Sequence, residues 1–372
     1  MRYYRLDTIL KKNARYNIIF GERSNGKTFA VLEYGLKRYL NGGGQLAIIR
    51  RWREDFRGVR GAQMFESLCK TGTGENLIKK YTKGKYDTVH YYSGRWYLAN
   101  YDEELDRKIP ASQPFAIGFA LTEMEHTKST SYPDITTVLF DEFLTRGSYL
   151  PDEFVLFMNT LSTIIRERDN VKIFMLANTV NKFCPYFSEM GLKNIQKMQK
   201  GDIDVYKYGN SGLIVAVEYA DNLNKKKPSS VYFAFNNNNL KLNMITSGDW
   251  ELDIYPHNTR HYDKKDIIFT YFIVFEDNLL QCDIVVLNDD MFTFVHKKTT
   301  DIKDTTKDLI YDITYHQQRN YRRNILKPYD QIGKRLLWFY QSDNVYYQDN
   351  EIGDLVNNYL NWCKQAKKQL TQ

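Results

Sequence analysis

Short apolar, β-branched runs alternate with amphipathic stretches through the first 220 residues. The runs at 17–20, 45–49, 114–121, 135–140 and 171–177 read as buried strands. Phe29 to Leu40 reads as a helix that Gly42-Gly43-Gly44 stops. Pro151-Asp152-Glu153 opens another helix, in which Phe154, Val155, Met158, Leu161, Ile164 and Ile165 recur at helical spacing. Residues 86–100 read as a hairpin turning at Ser93-Gly94, and 204–219 as a further hairpin. Strands alternating with helices predict an α/β unit, a parallel sheet with helices on both faces.

The rhythm then changes. Lys225-Lys226-Lys227-Pro228-Ser229-Ser230 and Asn236 to Asn239 are polar and aperiodic, so 220–250 reads as a linker region between a first domain at 1–219 and a second at 251–372. In the second domain, 266–275, 279–287 and 291–297 are apolar runs joined by short turns, an antiparallel meander. Helical, basic stretches are expected at Tyr321 to Lys327, at Lys334-Arg335 and at 351–369. Basic residues interleaved with aromatics suit contact with a phosphate backbone without base reading, and equally suit solvated helix faces.

Candidate chemistry starts where the first strand ends. Gly21-Glu22-Arg23-Ser24-Asn25-Gly26-Lys27-Thr28 fits the P-loop pattern G-x-x-x-x-G-K-[ST], with a strand before it and a helix after it. Gly21 and Gly26 let the backbone turn its N–H groups toward a phosphate chain, and the helix N-terminus adds positive charge there. Lys27 is placed for the β- and γ-phosphates and the Thr28 hydroxyl for Mg²⁺, so ATP and Mg²⁺ are the expected cofactors. The basic, aromatic stretch 1–15 reads as a surface helix or as a segment packed near the nucleotide base.

The run Ile135-Thr136-Thr137-Val138-Leu139-Phe140 ends in Asp141-Glu142, the Walker B pattern. Asp141 at the strand end would hold the metal, and Glu142 would activate the attacking water. Two strands between the two motifs argue for the additional-strand, catalytic-glutamate (ASCE) class. Asn178, at the end of the 171–177 strand, then stands where a polar residue senses the γ-phosphate. Arg166 and Arg168 end the 151–165 helix, where cations suit the helix dipole; the sharper reading is an arginine finger reaching a neighbouring subunit's site. Arg50, Arg51 and Arg53 follow the second strand, placed either to touch phosphate or in a solvated loop. Lys128 lies in a polar loop.

Composition narrows this only slightly. The net charge of +7 is compatible with nucleic acid without demanding it. Cys69, Cys184, Cys282 and Cys363 form no CxxC, which points to neither a zinc site nor a disulfide framework and to a reducing cytoplasm. The N-terminus has no apolar signal region, and no apolar run approaches the length of a membrane span.

The order of landmarks resembles the double-stranded DNA packaging ATPases of small tailed phages, the φ29-like podoviruses. The stretches that carry the resemblance are the P-loop with Arg23, then Ile48-Ile49-Arg50-Arg51-Trp52, Lys128 to Pro133, Thr136 to Phe143, Thr163 to Arg168, and Leu176 to Phe187. Cys184 departs from the pattern, where Asn is frequent. The resemblance implies a homomeric ring, a pentamer, on the portal of an empty capsid in the host cytoplasm, pumping double-stranded DNA inward. It also implies Lys27 and Thr28 on phosphate and metal, Asp141 on the metal, Glu142 as base, Arg166 as trans-acting finger, Lys128 acting between subunits, and Arg23 helping to trigger hydrolysis in cis or between subunits. A packaging RNA bridges motor and capsid in relatives. The second domain is then expected to be RNase H-like without nuclease acids, since 266–275 has no interior carboxylate. The competing readings are another P-loop translocase or helicase, a nuclease-active terminase, and an ATP-binding assembly protein without sustained turnover.

Overall fold

The computed structural model describes residues 4–21, 25–126, 130–145, 149–150, 152–178, 184–221, 255–258, 260–276, 278–288 and 290–369. The chain divides into two compact units, Met1–Val180 with Tyr186–Trp250, and Asn181–Pro185 with Glu251–Gln372. Most of the expected linker, 222–250, lies outside the described residues.

The first unit runs α1 (Asp7–Leu10), β1 (Tyr16–Gly21), α2 (Lys27–Leu40), β2 (Gln45–Arg50), then short helices α3 (Gly58–Gln63), α4 (Glu66–Cys69) and α5 (Leu77–Tyr81). It continues with β3 (Thr88–Tyr92), β4 (Arg95–Asp102), β5 (Arg107–Pro110), β6 (Ala116–Ala120), β7 (Ile135–Asp141), α6 (Glu153–Ile165), β8 (Lys172–Asn178), α7 (Pro185–Glu189), β9 (Ile203–Tyr208) and β10 (Leu213–Ala220). The sheet order is β3-β4-β6-β2-β7-β8-β1-β10-β9, with β5 on β4. From β6 to β10 every neighbouring pair is parallel, and β3, β4, β5 and β9 add antiparallel edges. Parallel strands covered on both faces read as near-continuous apolar runs, and every residue of β1 and β7 is buried, Asn17, Thr136, Thr137 and Asp141 included. β8 lies between β7 and β1, so the P-loop strand and the Asp141 strand are separated by one inserted strand.

An aromatic cluster locks the end of β7. Phe140 stacks on Phe157 of α6, with ring centroids 4.9 Å apart, and meets Tyr186 edge-on at 5.6 Å. Phe143 meets Tyr186 and Phe187 edge-on, both at 5.8 Å. Each such pair contributes about 0.5–1.5 kcal/mol beyond its area burial.

Two expectations need correction in this unit. Among the described residues of 1–15 the only helix is the four-residue α1, and the segment is not a surface helix: Tyr4, Leu6, Ile9 and Ala14 are buried. The Tyr4 N–H donates to the Asn25 carbonyl at 2.9 Å, which brings this segment against the P-loop. Of the six apolar positions on α6, Leu161 and Ile164 are buried, whereas Val155 and Met158 are exposed. The buried face includes Glu153 and Thr160 instead, because Glu153 is drawn inward by an ion pair with Arg51. Pro151 lies outside the described residues.

Tyr4 also carries a pH effect. Its hydroxyl donates to the buried Glu218 Oε2 at 2.6 Å. Burial pushes the Glu218 carboxyl above its usual range, and the Tyr4 hydrogen bond offsets that only in part. A folded value above the unfolded one means that this group's contribution is fully present at acid pH and is lost as pH rises through the folded value. Glu218→Gln should therefore melt higher than wild type at pH 8, with the difference closing below pH 4. Equal or lower melting temperatures at pH 8 would refute this.

The second unit begins its sheet with β11 (Ile267–Phe275), β12 (Asn278–Leu287) and β13 (Asp290–Lys297), the expected antiparallel meander. β14 (Leu309–Asp312), β15 (Tyr321–Arg322), α8 (Gln331–Gln341), β16 (Val345–Tyr347) and α9 (Asn350–Gln369) follow. The strand order is β15-β14-β11-β12-β13-β16, with β14 parallel to β11, β15 parallel to β14 and β16 parallel to β13. Leu336, Phe339, Leu355, Val356 and Tyr359 of the helices pack with Tyr271, Ile273, Cys282 and Val295 of the sheet. The helix expected at Tyr321 to Lys327 is absent. Arg322 ends β15, and the Asn324 side chain accepts from the Leu326 N–H at 2.9 Å, a local turn that competes with helix. Pro328 further disfavours helical backbone at Lys327. All four cysteines are free, and no helix among the described residues is long and apolar enough to cross a membrane.

Candidate active site

The register of the parallel strands aligns their carboxyl ends. Gly21 at the end of β1 sits beside Asn178 of β8 and Ala220 of β10. Asp141 of β7 sits beside Leu176, two residues before Asn178. Crevices at such strand ends are where open α/β sheets bind ligands.

At Gly21 a side chain has no room, because a Cβ there would lie 2.6 Å from the Ala220 carbonyl oxygen. Gly26 precedes α2 with a left-handed backbone, φ +92°, which glycine adopts without strain. The Lys27 ammonium is buried and donates to the Gly21 carbonyl at 3.2 Å and to Asn25 Oδ1 at 3.1 Å. Its ammonium is thus held between the end of β1 and the residue before Gly26. The Thr28 hydroxyl donates to Asp141 Oδ1 at 3.2 Å. A hydroxyl and a buried carboxylate at this distance form the hard-oxygen pair that suits Mg²⁺, so the residues fit that ion. Glu22, Arg23 and Ser24 lie outside the described residues, as does Lys128.

Asp141 and Glu142 part company at the end of β7. Asp141 is buried, while Glu142 takes a left-handed backbone, φ +62°, and leaves its carboxylate mostly exposed. Phe143 then returns to the aromatic cluster, its N–H bonded to the Leu176 carbonyl at 3.2 Å. The kink thus sends an acid outward from a strand whose next residue is anchored inside.

Two arginines that the sequence leaves undecided prove central. Arg50 ends β2, which pairs with β7 so that Ile49 sits beside Phe140. Its guanidinium consequently reaches both acids, at 2.7 Å to Asp141 Oδ2 and 2.7 Å to Glu142 Oε2. Burial disfavours the Arg50 charge, but Asp141, Glu142 and Asp55 more than offset this and hold it as a cation. Arg51 turns the other way. It pairs with the buried Glu153 at 2.6 Å and 2.7 Å and donates to the carbonyls of Glu142 and Phe143 at 3.3 Å and 2.9 Å. Glu153 also accepts from the Leu150 N–H and the Tyr186 hydroxyl, each at 2.7 Å. Arg53 pairs with Glu123 at 2.5 Å. These arginines hold carboxylates of the chain itself. The signal available in the sequence was their place at the end of a strand neighbouring β7, but pairing of those two strands is a long-range fact.

Arg166 and Arg168 separate in role. Arg168 donates to the carbonyls of Pro133, Ile135, Tyr132 and Ile164 at 2.5–3.0 Å, tying the end of α6 to the start of β7. Arg166 is exposed, and among the described residues its side chain donates to the Thr130 carbonyl at 3.1 Å. Arg166 and Glu167 are successively left-handed, φ +42° and +65°, which costs L-residues roughly 1–2 kcal/mol each. Arg168 anchors that turn and leaves Arg166 presented to solvent.

Residues 111–227 match the family model described as "Podovirus DNA encapsidation protein (Gp16)". The "DNA packaging protein" of Bacillus phage phi29 is 26% identical over 188 residues, 50% of this chain and 49% of that one. That of Bacillus phage B103 is 26% identical over 179 residues, 47% and 48% of the two chains. The matched stretch thus spans about half the length of these curated relatives. Among solved structures, "The bacteriophage Phi-29 viral genome packaging motor assembly" aligns over 95% of this chain and 97% of that one, with TM-score 0.58 and 16% identity. "The Phi-28 gp11 DNA packaging Motor" aligns over 97% and 96%, with TM-score 0.56 and 17% identity. The resemblance read from the motifs is borne out: the chain is similar to this family in sequence over its middle third, and to these motor chains in fold over nearly its whole length.

Proposed function

We propose that this protein is the ATP-driven motor that packages double-stranded DNA into a viral procapsid, working in the host cytoplasm as a homomeric ring, a pentamer, on the portal. The observation that carries the reading is the junction of Thr28, Asp141 and Glu142 at the strand ends, combined with the match of 111–227 to DNA encapsidation proteins. The division proposed is an ATPase domain at 1–219, a linker region at 220–250 and a partner-binding domain at 251–372.

In this reading Gly21 to Thr28 wrap the phosphates of ATP, with Lys27 turning its ammonium from Gly21 and Asn25 to the β- and γ-oxygens. Thr28 and Asp141 would hold Mg²⁺, which when bound would supply charge stabilisation to the phosphate oxygens. Glu142 takes the proton of the attacking water. Arg50 holds the Glu142 carboxylate on the β2 side, so that proton transfer requires the pair to loosen or to share the carboxylate with water. Asn178, in register with Gly21, is placed to feel the γ-phosphate. Arg166, exposed on its strained turn, serves a neighbouring subunit, Lys128 acts at the same interface, and Arg23 helps to trigger hydrolysis in cis or between subunits.

The second domain is read as RNase H-like without nuclease activity, binding nucleic acid or portal. An antiparallel β13-β12-β11 core with β14 and β15 added parallel beside β11 supports the fold. Its buried carboxylate on the neighbouring strand, Asp283, is already bonded to His296 at 3.2 Å, Thr270 at 2.8 Å and Gln281 at 3.0 Å. A packaging RNA as a further partner rests on the resemblance alone.

The test is the ATPase rate with and without double-stranded DNA, on assembled motor and portal. DNA should raise turnover at least severalfold. A rate indifferent to DNA, or metal-dependent nicking of the DNA, would overturn the packaging reading in favour of an assembly protein or a terminase.

A further inference from the structure

The amino ends of β1, β8 and β10 enclose a cavity of about 520 Å³. This end lies opposite the P-loop. β1 runs six residues from Tyr16 to Gly21, so Arg15 and the nucleotide loop are separated by roughly 20 Å. The volume falls in the range of small-molecule sites, about 300–1,000 Å³.

Its lining is strongly cationic. Arg15, Arg38 and Lys172 all face it, and Asp169 is the single carboxylate among its lining residues. Asp169 is taken by Arg15, which bonds its Oδ1 at 2.6 Å and its carbonyl at 2.8 Å. Arg38 and Lys172 are left with neutral acceptors at long distances. Arg38 reaches the Tyr34 hydroxyl and the Gly43 carbonyl, each at 3.3 Å, and Lys172 reaches the Ala14 carbonyl at 3.4 Å. Burial, followed by the nearby Arg38, pushes the Lys172 ammonium below its usual value, the effect expected of a cation that has like charge beside it and no counterion. Asn170 adds an exposed polar group to the lining, whereas the Ser211 hydroxyl is engaged, donating to the Tyr208 carbonyl at 2.6 Å and accepting from the Leu213 N–H at 3.2 Å.

We propose that this cavity is a second phosphate-binding site, in which Arg38 and Lys172 hold a phosphate group and the Asn170 side-chain amide donates a further hydrogen bond. A guanidinium and an ammonium converging on a half-enclosed space neutralise one dianionic group, and the guanidinium adds directed donors. The phosphate comes either from a free nucleotide or from the backbone of a nucleic acid strand. The site is independent of ATP hydrolysis at the P-loop and does not rest on that reading.

The experiment is equilibrium binding of inorganic pyrophosphate and, separately, of a 12-nucleotide single strand to the full chain in a Lys27→Ala background, which disables phosphate binding at the P-loop. Pyrophosphate binding should survive Lys27→Ala and weaken at least tenfold on adding Arg38→Gln and Lys172→Gln. Lys172→Arg should retain it. Asn170→Glu, an exposed change that puts a carboxylate at the mouth, should abolish it with no loss of melting temperature, which covers the case that the double variant folds poorly. If the single strand also weakens in these variants, the phosphate is that of a nucleic acid backbone. If only pyrophosphate and ADP weaken, it is that of a nucleotide. Loss of all pyrophosphate binding with Lys27→Ala alone, or unchanged binding in both cavity variants, would overturn the proposal.

Discussion

Glu142→Gln is expected to lower ATP turnover by about 10²–10⁴-fold, the usual contribution of a general base, while leaving nucleotide binding within a few-fold of wild type. The geometry isolates the effect. The Glu142 side chain is 61% exposed and leaves the sheet on a left-handed turn, so the substitution disturbs no packing. A glutamine oxygen still accepts from Arg50, so the Arg50 contact with the buried Asp141 need not rearrange. Single-turnover hydrolysis, with a separate binding titration, measures both halves. Turnover within tenfold of wild type would show that another group takes the proton. The same variant tests Arg166 in rings mixed with Arg166→Ala subunits. With a finger acting across the interface, activity comes only from interfaces that pair an intact Glu142 with a neighbour's intact Arg166, and so it must follow the mixing ratio. Activity independent of that ratio would remove Arg166 from the neighbouring site.

Arg51→Ala carries the largest expected loss of stability. Arg51 and Glu153 have side chains 7% and 1% exposed, and the pair joins β2, the turn after β7 and the first turn of α6. Removing one partner leaves Glu153 charged and buried, with only the Leu150 N–H and the Tyr186 hydroxyl to hold it. Breaking a buried pair costs about 3–5 kcal/mol, which for a unit of this size lowers the melting temperature by roughly 6–20 °C. Arg51 also fixes the carbonyls of Glu142 and Phe143, so residual folded protein should hydrolyse ATP more slowly than its folded fraction predicts. Arg51→Ala with Glu153→Leu should recover part of the stability without the activity, since an apolar replacement removes the stranded charge but leaves the turn unheld. A melting temperature within 2 °C of wild type for the single variant would mean that water or a neighbouring group compensates. The figure of 2 °C marks roughly the smallest shift a 1 kcal/mol loss produces.

The amino-acid sequence determined the parts of this protein that are local. Mostly apolar runs of four to seven residues specify β1, β2, β7 and β8, because a strand buried on both faces needs little more than a near-continuous apolar segment. The placement of Gly21, Gly26, Lys27, Thr28 and Asp141 was legible for the same reason: each lies at the end of one strand or the start of one helix. Tertiary structure decided what lies between strands. Arg50 meets Asp141 and Glu142 only because β2 pairs with β7, and Arg51 meets Glu153 only because α6 returns over that edge. On α6 the buried face runs through Glu153, Phe157, Thr160, Leu161 and Ile164, and Val155 and Met158 lie exposed. It was also the approach of the β7 entry segment that made Arg168 a structural clamp and left Arg166 exposed, two arginines that read alike in the chain. A buried charge must find its partner wherever the fold brings one. Those pairings join residues some 90 to 100 positions apart, and no local pattern of residues encodes them.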